Sequence, residues 1–313
     1  MPDKNDALRP WLIAVWPGMG HVALSAGYYL MAKLGMHQMA EFSATGLFDV
    51  DFAMVREGVV QRSQRPRSRF FLWKAPEGQR DIIVFIGEAQ PPLGKYAFCE
   101  KLIDFARDQG VERVVTFAAM ATRMHPEQES RVFAAVTDRE LLEETHTAQA
   151  DPLQEGPIGG LNGVLLAAAA DKGMPGLCLL GEMPHIFAQV PFPKASLAVL
   201  RTFVQLAGIE VDFTELKQQA KAIEQQLGDL LAQVEGSQTE GAAEGPPEET
   251  YQAPEAEGGL PEKDRERIEA LFRSAKQDRA KAYELKNALD RLRVFRKYED
   301  RFLDLFANDP PGE

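Results

Sequence analysis

The chain has 313 residues, of which 45% are hydrophobic and 26% are charged, so it can bury a large core. Its formal net charge of -12 argues against nucleic acid and anionic membrane surfaces as partners, because both repel an acidic protein. No apolar run approaches the roughly 18 residues of a membrane-spanning helix, and the N-terminus lacks the pattern of a signal peptide. We therefore expect a cytoplasmic globular protein.

The sequence contains no recognisable metal, disulfide or hydrolase motif. Cys99 and Cys178 each lie inside an apolar segment, which predicts two buried free thiols. The histidines are too scattered for metal-ligand spacing, and no GxSxG motif marks a nucleophilic serine. We expect neither a metal nor a cofactor.

The chain opens with a strand, a turn and a helix. Residues 11–16 form an apolar β-type run, and residues 22–34 have helical spacing. The turn between them contains Gly18, Gly20 and His21, and its backbone N–H groups are candidates for binding an anion. It lacks the Lys-Ser/Thr of a P-loop and the third glycine of a dinucleotide motif.

The next segments alternate between strands and helices. Residues 38–42 are a predicted strand, 59–64 and 68–74 a hairpin, and 81–87 a buried strand that ends at Glu88. A helix at 96–109, strands at 114–119 and 132–136, and a helix at 139–145 capped by Asp138 follow.

A glycine-rich loop then leads into a short apolar helix that ends at Gly173. Gly159 and Gly160 permit positive φ and close backbone approach, and Asn162 offers side-chain capping or ligand binding. A buried strand at 177–180 follows, and Glu182 and His185 come directly after it.

Ligands in open α/β sheets gather beyond the carboxyl ends of strands. We therefore expect Glu88, Glu182 and His185 to meet in one crevice with His21 and the 156–162 loop. Such a carboxylate and imidazole pair serves acid–base chemistry or holds a phosphate or sugar ligand. The alternative is that these polar residues only anchor loops through hydrogen bonds to the backbone.

Strands that alternate with helices predict a three-layer α/β/α domain with a mixed, mostly parallel sheet over residues 1–213. An amphipathic helix at 214–234 has heptad spacing and packs either on its own domain or on a partner helix in a coiled coil. Residues 235–262 contain eight Glu, four Pro and no Lys or Arg, which predicts a disordered acidic linker.

Residues 263–308 form a C-terminal helical extension. One straight helix there would span roughly 65 to 70 Å, so we expect it to bend, split or pack along another subunit. Packing on helix 214–234 or on a neighbouring subunit would bury its apolar face.

Four ordered blocks carry a resemblance: WPGMGHVALSAGYYLMAKLG at 16–35, GEAQP at 87–91, GPIGGLNGVLLAAAADKGMPGLCLLGEMP at 156–184 and GIEVDFTEL at 208–216. Together they resemble the proteasome assembly chaperone family over about residues 10–232. The resemblance implies a fold similar to the purine nucleoside phosphorylase and hydrolase-like domain.

The resemblance also implies a noncatalytic binding protein that self-associates, with a trimer as the expected homo-oligomer and an unidentified client protein. Archaeal chaperones of this type can end in a hydrophobic-Tyr-X tail that docks on the proteasome, whereas this chain ends NDPPGE. The alternative function is a small-molecule enzyme, either nucleoside-processing or resembling an ATP-dependent ligase, that uses the crevice near Glu88, Glu182 and His185.

Overall fold

The structure is a computed structural model that describes residues 8–48, 53, 55–61, 65–238 and 260–307. The strands are β1 (Trp11–Val15), β2 (His37–Glu41), β3 (Val55–Arg56), β4 (Val59–Val60), β5 (Ser68–Trp73), β6 (Ile82–Gly87), β7 (Arg113–Thr122), β8 (Val132–Val136), β9 (Asp151–Pro152) and β10 (Gly176–Pro184). The helices are α1 (Val22–Lys33), α2 (Lys95–Asp108), α3 (Arg139–Thr147), α4 (Gly160–Asp171), α5 (Pro193–Ala207), α6 (Thr214–Gln238), α7 (Glu262–Gln277), α8 (Ala282–Arg291) and α9 (Phe295–Asp304).

Eight strands form one mixed, mostly parallel sheet in the order β2-β5-β6-β1-β7-β10-β8-β9. The four central strands β6, β1, β7 and β10 run parallel. Strands β5 and β8 run antiparallel to the central strands that they flank, and β2 runs antiparallel to β5. The predicted fold class is therefore confirmed.

The alternation of side chains along β1 explains why two helical layers form. Leu12 and Ala14 point into a core with α2 and α4, whereas Ile13 and Val15 point into a core with α1 and α5. Because both faces of β1 are buried, its sequence is apolar at every position. This double burial is the reason that the central strands could be recognised from sequence.

The predicted hairpin between residues 59–64 and 68–74 is wrong. Strand β4 pairs with β3 in a separate two-stranded sheet, and β5 lies in the main sheet between β2 and β6. Alternating apolar residues on both sides of Pro66 suggested a local pairing. Strand β5 instead pairs with β6, the next strand along the chain, and with β2, and its consecutive residues Phe70 and Phe71 are buried on opposite faces of the sheet.

The predicted cap of α3 and both predicted thiols agree with the structure. Asp138 caps α3, since its Oδ1 accepts a hydrogen bond from Leu141 N at 3.0 Å, and Gly208 ends α5 with φ of 67°. Cys99 and Cys178 are free and buried. Burial raises the pKa of each thiol to about 12, so neither is a thiolate near neutral pH.

Helix α6 begins on its own domain. Leu216, Ala220 and Leu227 are buried, and α6 packs against α5. Further along, Leu230 is exposed. The described side chains thus favour packing of α6 on its own domain over a coiled coil with a partner helix.

The C-terminal extension is not one long helix but is split into α7, α8 and α9. Its aromatic side chains pack on α1 of the same chain: Phe295 and Phe302 lie 5.2 and 5.5 Å from Tyr28, and Tyr283 lies 4.5 Å from Tyr29, between ring centroids. The extension also contacts α6, since Tyr283 Oη donates a hydrogen bond to Gln219 Oε1. Most of the predicted linker, residues 239–259, lies outside the described residues.

The two edges of the main sheet are short or covered. Strand β9 has only two residues, and on the opposite edge Gln38 N of β2 donates a hydrogen bond to Phe306 O at 2.6 Å. Among the described residues, no helix is long and apolar enough to span a membrane.

Candidate functional site

The carboxyl ends of β6, β1, β7 and β10 lie side by side along one end of the strands, here called the carboxyl edge of the sheet. The predicted site residues lie at this carboxyl edge. Strand β1 pairs with β7 only as far as Ala14 and Thr116, whereas β7 and β10 remain paired out to Thr122 and Pro184. These two strands therefore project beyond their neighbours. As a result, Glu182 lies inside β10 and not in the loop after it.

Glu182 is held by the chain's own polar groups. Its carboxylate accepts hydrogen bonds from Arg131 Nε at 2.8 Å, Arg131 Nη2 at 3.0 Å and Thr122 Oγ1 at 2.9 Å. The Arg131 guanidinium is the main reason that the pKa of Glu182 is lowered. A carboxylate stabilised in its ionised form is a poor general acid.

An open cleft of about 480 Å³ lies over this ion pair; its lining residues are Thr122, Arg123, Met124, Gln128, Glu129, Arg131 and Glu182. His185 stands beside it, with Nδ1 at 2.9 Å from Thr122 O. A carbonyl only accepts hydrogen bonds, so Nδ1 is the donor in this contact. Thr122 thus links Glu182 and His185, which do not bond to each other directly.

Glu88 lies elsewhere on the sheet edge. Strands β1 and β7 separate β6 from β10. The strand before Glu88 and the strand that contains Glu182 therefore lie about 14 Å apart. Glu88 Oε2 accepts from Arg67 N at 2.8 Å, and Oε1 accepts from Arg69 Nη2 at 3.3 Å. The structure therefore brings Glu182 and His185 together but leaves Glu88 in a separate cluster.

The turn after β1 binds a neighbouring loop with its backbone. Gly20 has φ of 59°, its N–H donates to Ala188 O at 2.8 Å, and its C=O accepts from Phe192 N at 2.9 Å. Gly18 is extended, and His21 is left-handed with φ of 51°. Because the Gly20 amide is already bonded, this turn holds the 188–192 loop and does not offer that amide to an anion.

Gln90 bridges the two loops at the centre of the sheet edge, and sequence reasoning missed its role. Its Oε1 accepts from Leu161 N at 3.1 Å, and its Nε2 donates to Pro17 O at 3.1 Å. Gly160 has φ of 66°, and a Cβ there would lie 2.7 Å from Gln90 Oε1. The amide oxygen of Gln90 thus takes up a backbone N–H at the N-terminus of α4, the kind of group that binds anions at helix N-termini.

Two further predicted site residues, Gly159 and Asn162, lie at the start of α4. Gly159 is the N-cap of α4 and provides no side-chain cap. Asn162 Oδ1 is buried without a hydrogen-bond partner among the described residues. Within the same part of the chain, no three His, Cys, Asp or Glu side chains group together as metal ligands.

Replacing Gln90 by alanine is expected to lower the free energy of unfolding by about 1 kcal/mol, because the partly buried N–H of Leu161 and C=O of Pro17 lose their hydrogen-bond partner. Urea denaturation followed by circular dichroism measures the change. Gln79→Ala, in the exposed turn before β6, is the matched control. Equal stability of both variants would show that the Gln90 bridge contributes nothing.

These observations define a layered α/β domain in which Gln90 bridges the loops at the central strand ends and Glu182 is paired with Arg131, as suits a binding domain better than a nucleotide site. The chain belongs to the PAC2 family, the proteasome assembly chaperone family, whose sequence model matches residues 12–231.

Several relatives are similar over most of their length. An uncharacterised protein of Methanocaldococcus jannaschii is 30% identical over 223 residues, which cover 68% of this chain and 80% of that protein. The structure of Pyrococcus furiosus PbaB, an archaeal proteasome activator, is 29% identical with a TM-score of 0.60 and covers 74% of this chain and 96% of its own. A proteasome-assembly chaperone homologue of Mycobacterium tuberculosis is 23% identical with a TM-score of 0.60 and covers 70% and 94%, respectively.

Proposed function

We propose that this protein is a noncatalytic, cytoplasmic assembly chaperone or scaffold that binds another protein at the carboxyl edge of its sheet. The observation that carries the proposal is a group of exposed apolar side chains at this edge, here called the edge patch: Met19, Leu93, Ile186 and Val190. Each follows the carboxyl end of a central parallel strand. Exposed apolar side chains gathered on one side of a protein favour protein–protein contact.

Two further observations support binding over catalysis. Gln90 takes up a backbone N–H at the α4 N-terminus, and the Glu182 carboxylate is paired with Arg131. The enzyme alternative requires Glu88 and Glu182 to act on one ligand, yet two strands separate β6 from β10. The similarity to an archaeal proteasome activator at 29% identity supports a protein client.

The edge patch is tested by comparing affinity isolates from native cells by mass spectrometry. Wild type and Leu8→Asp are expected to retain the same client, because Leu8 is exposed near the opposite, amino end of β1. Ile186→Asp is expected to lose it. Retention of the client by Ile186→Asp would exclude the edge patch as the binding surface.

The same proposal includes self-association, with a trimer as the expected state. Sedimentation velocity of the full-length chain measures it directly. A monomer at all concentrations would rule out the homo-oligomer while leaving client binding to be judged from the isolates. Specific binding of a nucleoside or nucleotide by calorimetry would support the enzyme instead.

A further inference from the structure

The C-terminal helices cover a face of the family domain. The family match ends at residue 231, and α7 begins at Glu262, so these helices are an addition to that domain. Beneath them lie Tyr28 and Tyr29 of α1 and Phe71 of β5, all fully buried. Without the extension, these three aromatic side chains would lose their contacts with Phe302, Tyr283 and Phe306.

The contact between α9 and the sheet also contains a cluster of charges, here called the latch: Arg67, Arg69 and Glu88 of the α/β domain with Glu299, Asp300 and Asp304 of α9. Arg69 is completely buried and pairs with Glu88 and Asp300, and its Nη1 lies 3.8 Å from Asp304 Oδ1. Arg67 Nη1 donates to Asp300 Oδ1 at 3.1 Å.

Negative groups outnumber positive groups in the latch. Two guanidinium groups face four carboxyl groups. Arg67 also binds a fifth carboxylate, because its Nε and Nη2 donate to the two carboxylate oxygens of Glu41 at 2.9 and 2.8 Å. Glu299 bonds to a neutral group on α1, since its Oε1 accepts from Tyr28 Oη at 2.6 Å. Neutral carboxyl groups would relieve the repulsion that ionised ones create at this contact.

We propose that α9 is a releasable strap over the α1 face, which is held closed while the Glu88 carboxyl is protonated and is loosened when that carboxyl ionises. The open state exposes Tyr28 of α1 and Phe71 of β5, which contact Phe302 and Phe306 in the closed state. The strap thereby controls access to a surface of the family domain that is separate from the edge patch.

The direction of the pH dependence follows from two carboxyl groups. Burial raises the pKa of Glu88 to about 7, and the nearby charges of Glu299 and Asp300 add to the effect while Arg69 opposes it. Burial also raises the pKa of Glu299, against the influence of Arg296 and Lys286. Opening returns both groups toward their ordinary pKa, so the closed state binds more protons than the open one. Rising pH up to about 7 therefore favours opening, by at most about tenfold per pH unit for each proton.

His21 acts in the opposite direction. Partial burial, followed by the charge of Lys286 on α8, lowers its pKa, and Arg296 adds to this while Asp290 opposes it. Acid therefore favours opening through His21 below its ordinary pKa of about 6.5. A His21→Asn background removes this contribution, and asparagine tolerates the left-handed backbone at this position.

The test is hydrogen exchange of the full-length chain between pH 5.5 and 7.5, with protection factors corrected for intrinsic exchange. In His21→Asn, protection of the α9 amides is expected to fall several-fold as pH rises, while α5 amides stay unchanged. In His21→Asn/Glu88→Gln, the fall in α9 protection with rising pH is expected to be smaller, because only Glu299 is left to release a proton on opening.

Two results would overturn the proposal. One is the same pH slope with glutamine at position 88 as with glutamate. The other is a parallel loss of protection in α9 and α5, which would mean that the whole domain opens together. If the Glu88→Gln variant does not fold, Glu299→Gln replaces it, since it removes the other buried carboxyl and must also reduce the slope.

Discussion

Phe302→Ala is expected to weaken the closed C-terminal region by about 3–5 kcal/mol, the usual cost of removing a large aromatic side chain from a packed core. Phe302 is fully buried. Its ring lies 5.5 Å from Tyr28, 5.4 Å from Phe295 and 5.7 Å from Phe306, between centroids. Loss of the ring leaves a cavity at the point where α9 meets α1. Urea denaturation together with hydrogen exchange of α9 measures the effect.

The matched control is Lys297→Ala on the same helix. Lys297 is exposed, and its replacement by alanine leaves helix propensity nearly unchanged. A change within about 0.5 kcal/mol is expected for this variant. If Phe302→Ala were as mild as Lys297→Ala, the C-terminal helices could not pack on α1 as described.

Gly163→Ala is expected to lower the free energy of unfolding by about 1–3 kcal/mol, through overpacking. A Cβ at this position would lie 2.0 Å from Ile158 O and 2.9 Å from Ile158 C. These are backbone atoms, so no side-chain rotation relieves the clash. The loop before α4 must move, which also disturbs the contact between Gln90 and Leu161.

Gly159→Ala is the control for this prediction. Gly159 has φ of -75°, and no atom lies within 4 Å of the position that a Cβ would take, so alanine fits there without strain. Thermal unfolding of both variants separates a general effect of losing a glycine from the specific clash. Equal melting temperatures would contradict the close approach of Ile158 to α4.

The central strands could be predicted because burial on both faces leaves a local signature. The runs at 11–16 and 81–87 are apolar at nearly every position, which only a strand covered by two layers requires. The partner of β5 could not be predicted in this way. Its apolar residues show that it is buried, but they do not show that it pairs with β6, the next strand along the chain, or with β2, from which β3 and β4 separate it in sequence.

The arrangement of the candidate site also depends on strand order, which the sequence does not indicate. Glu88 and Glu182 each follow or end a central strand, and that much is local information. Whether they meet depends on strand order, which places β1 and β7 between them. The role of Gln90 is likewise invisible in sequence, because a neutral amide carries no signal until Pro17 and Leu161 are known to lie on either side of it.

The covered edges of the main sheet bear on how copies of this protein can associate. With two residues in β9 and Phe306 O bonded to Gln38 N on β2, the sheet offers little backbone for another chain to extend. Edge-to-edge strand pairing, which is the usual start of open-ended β aggregation, is therefore disfavoured. Assembly through side-chain surfaces is favoured over pairing at the edges of the main sheet, and such contacts can close into a ring of defined size.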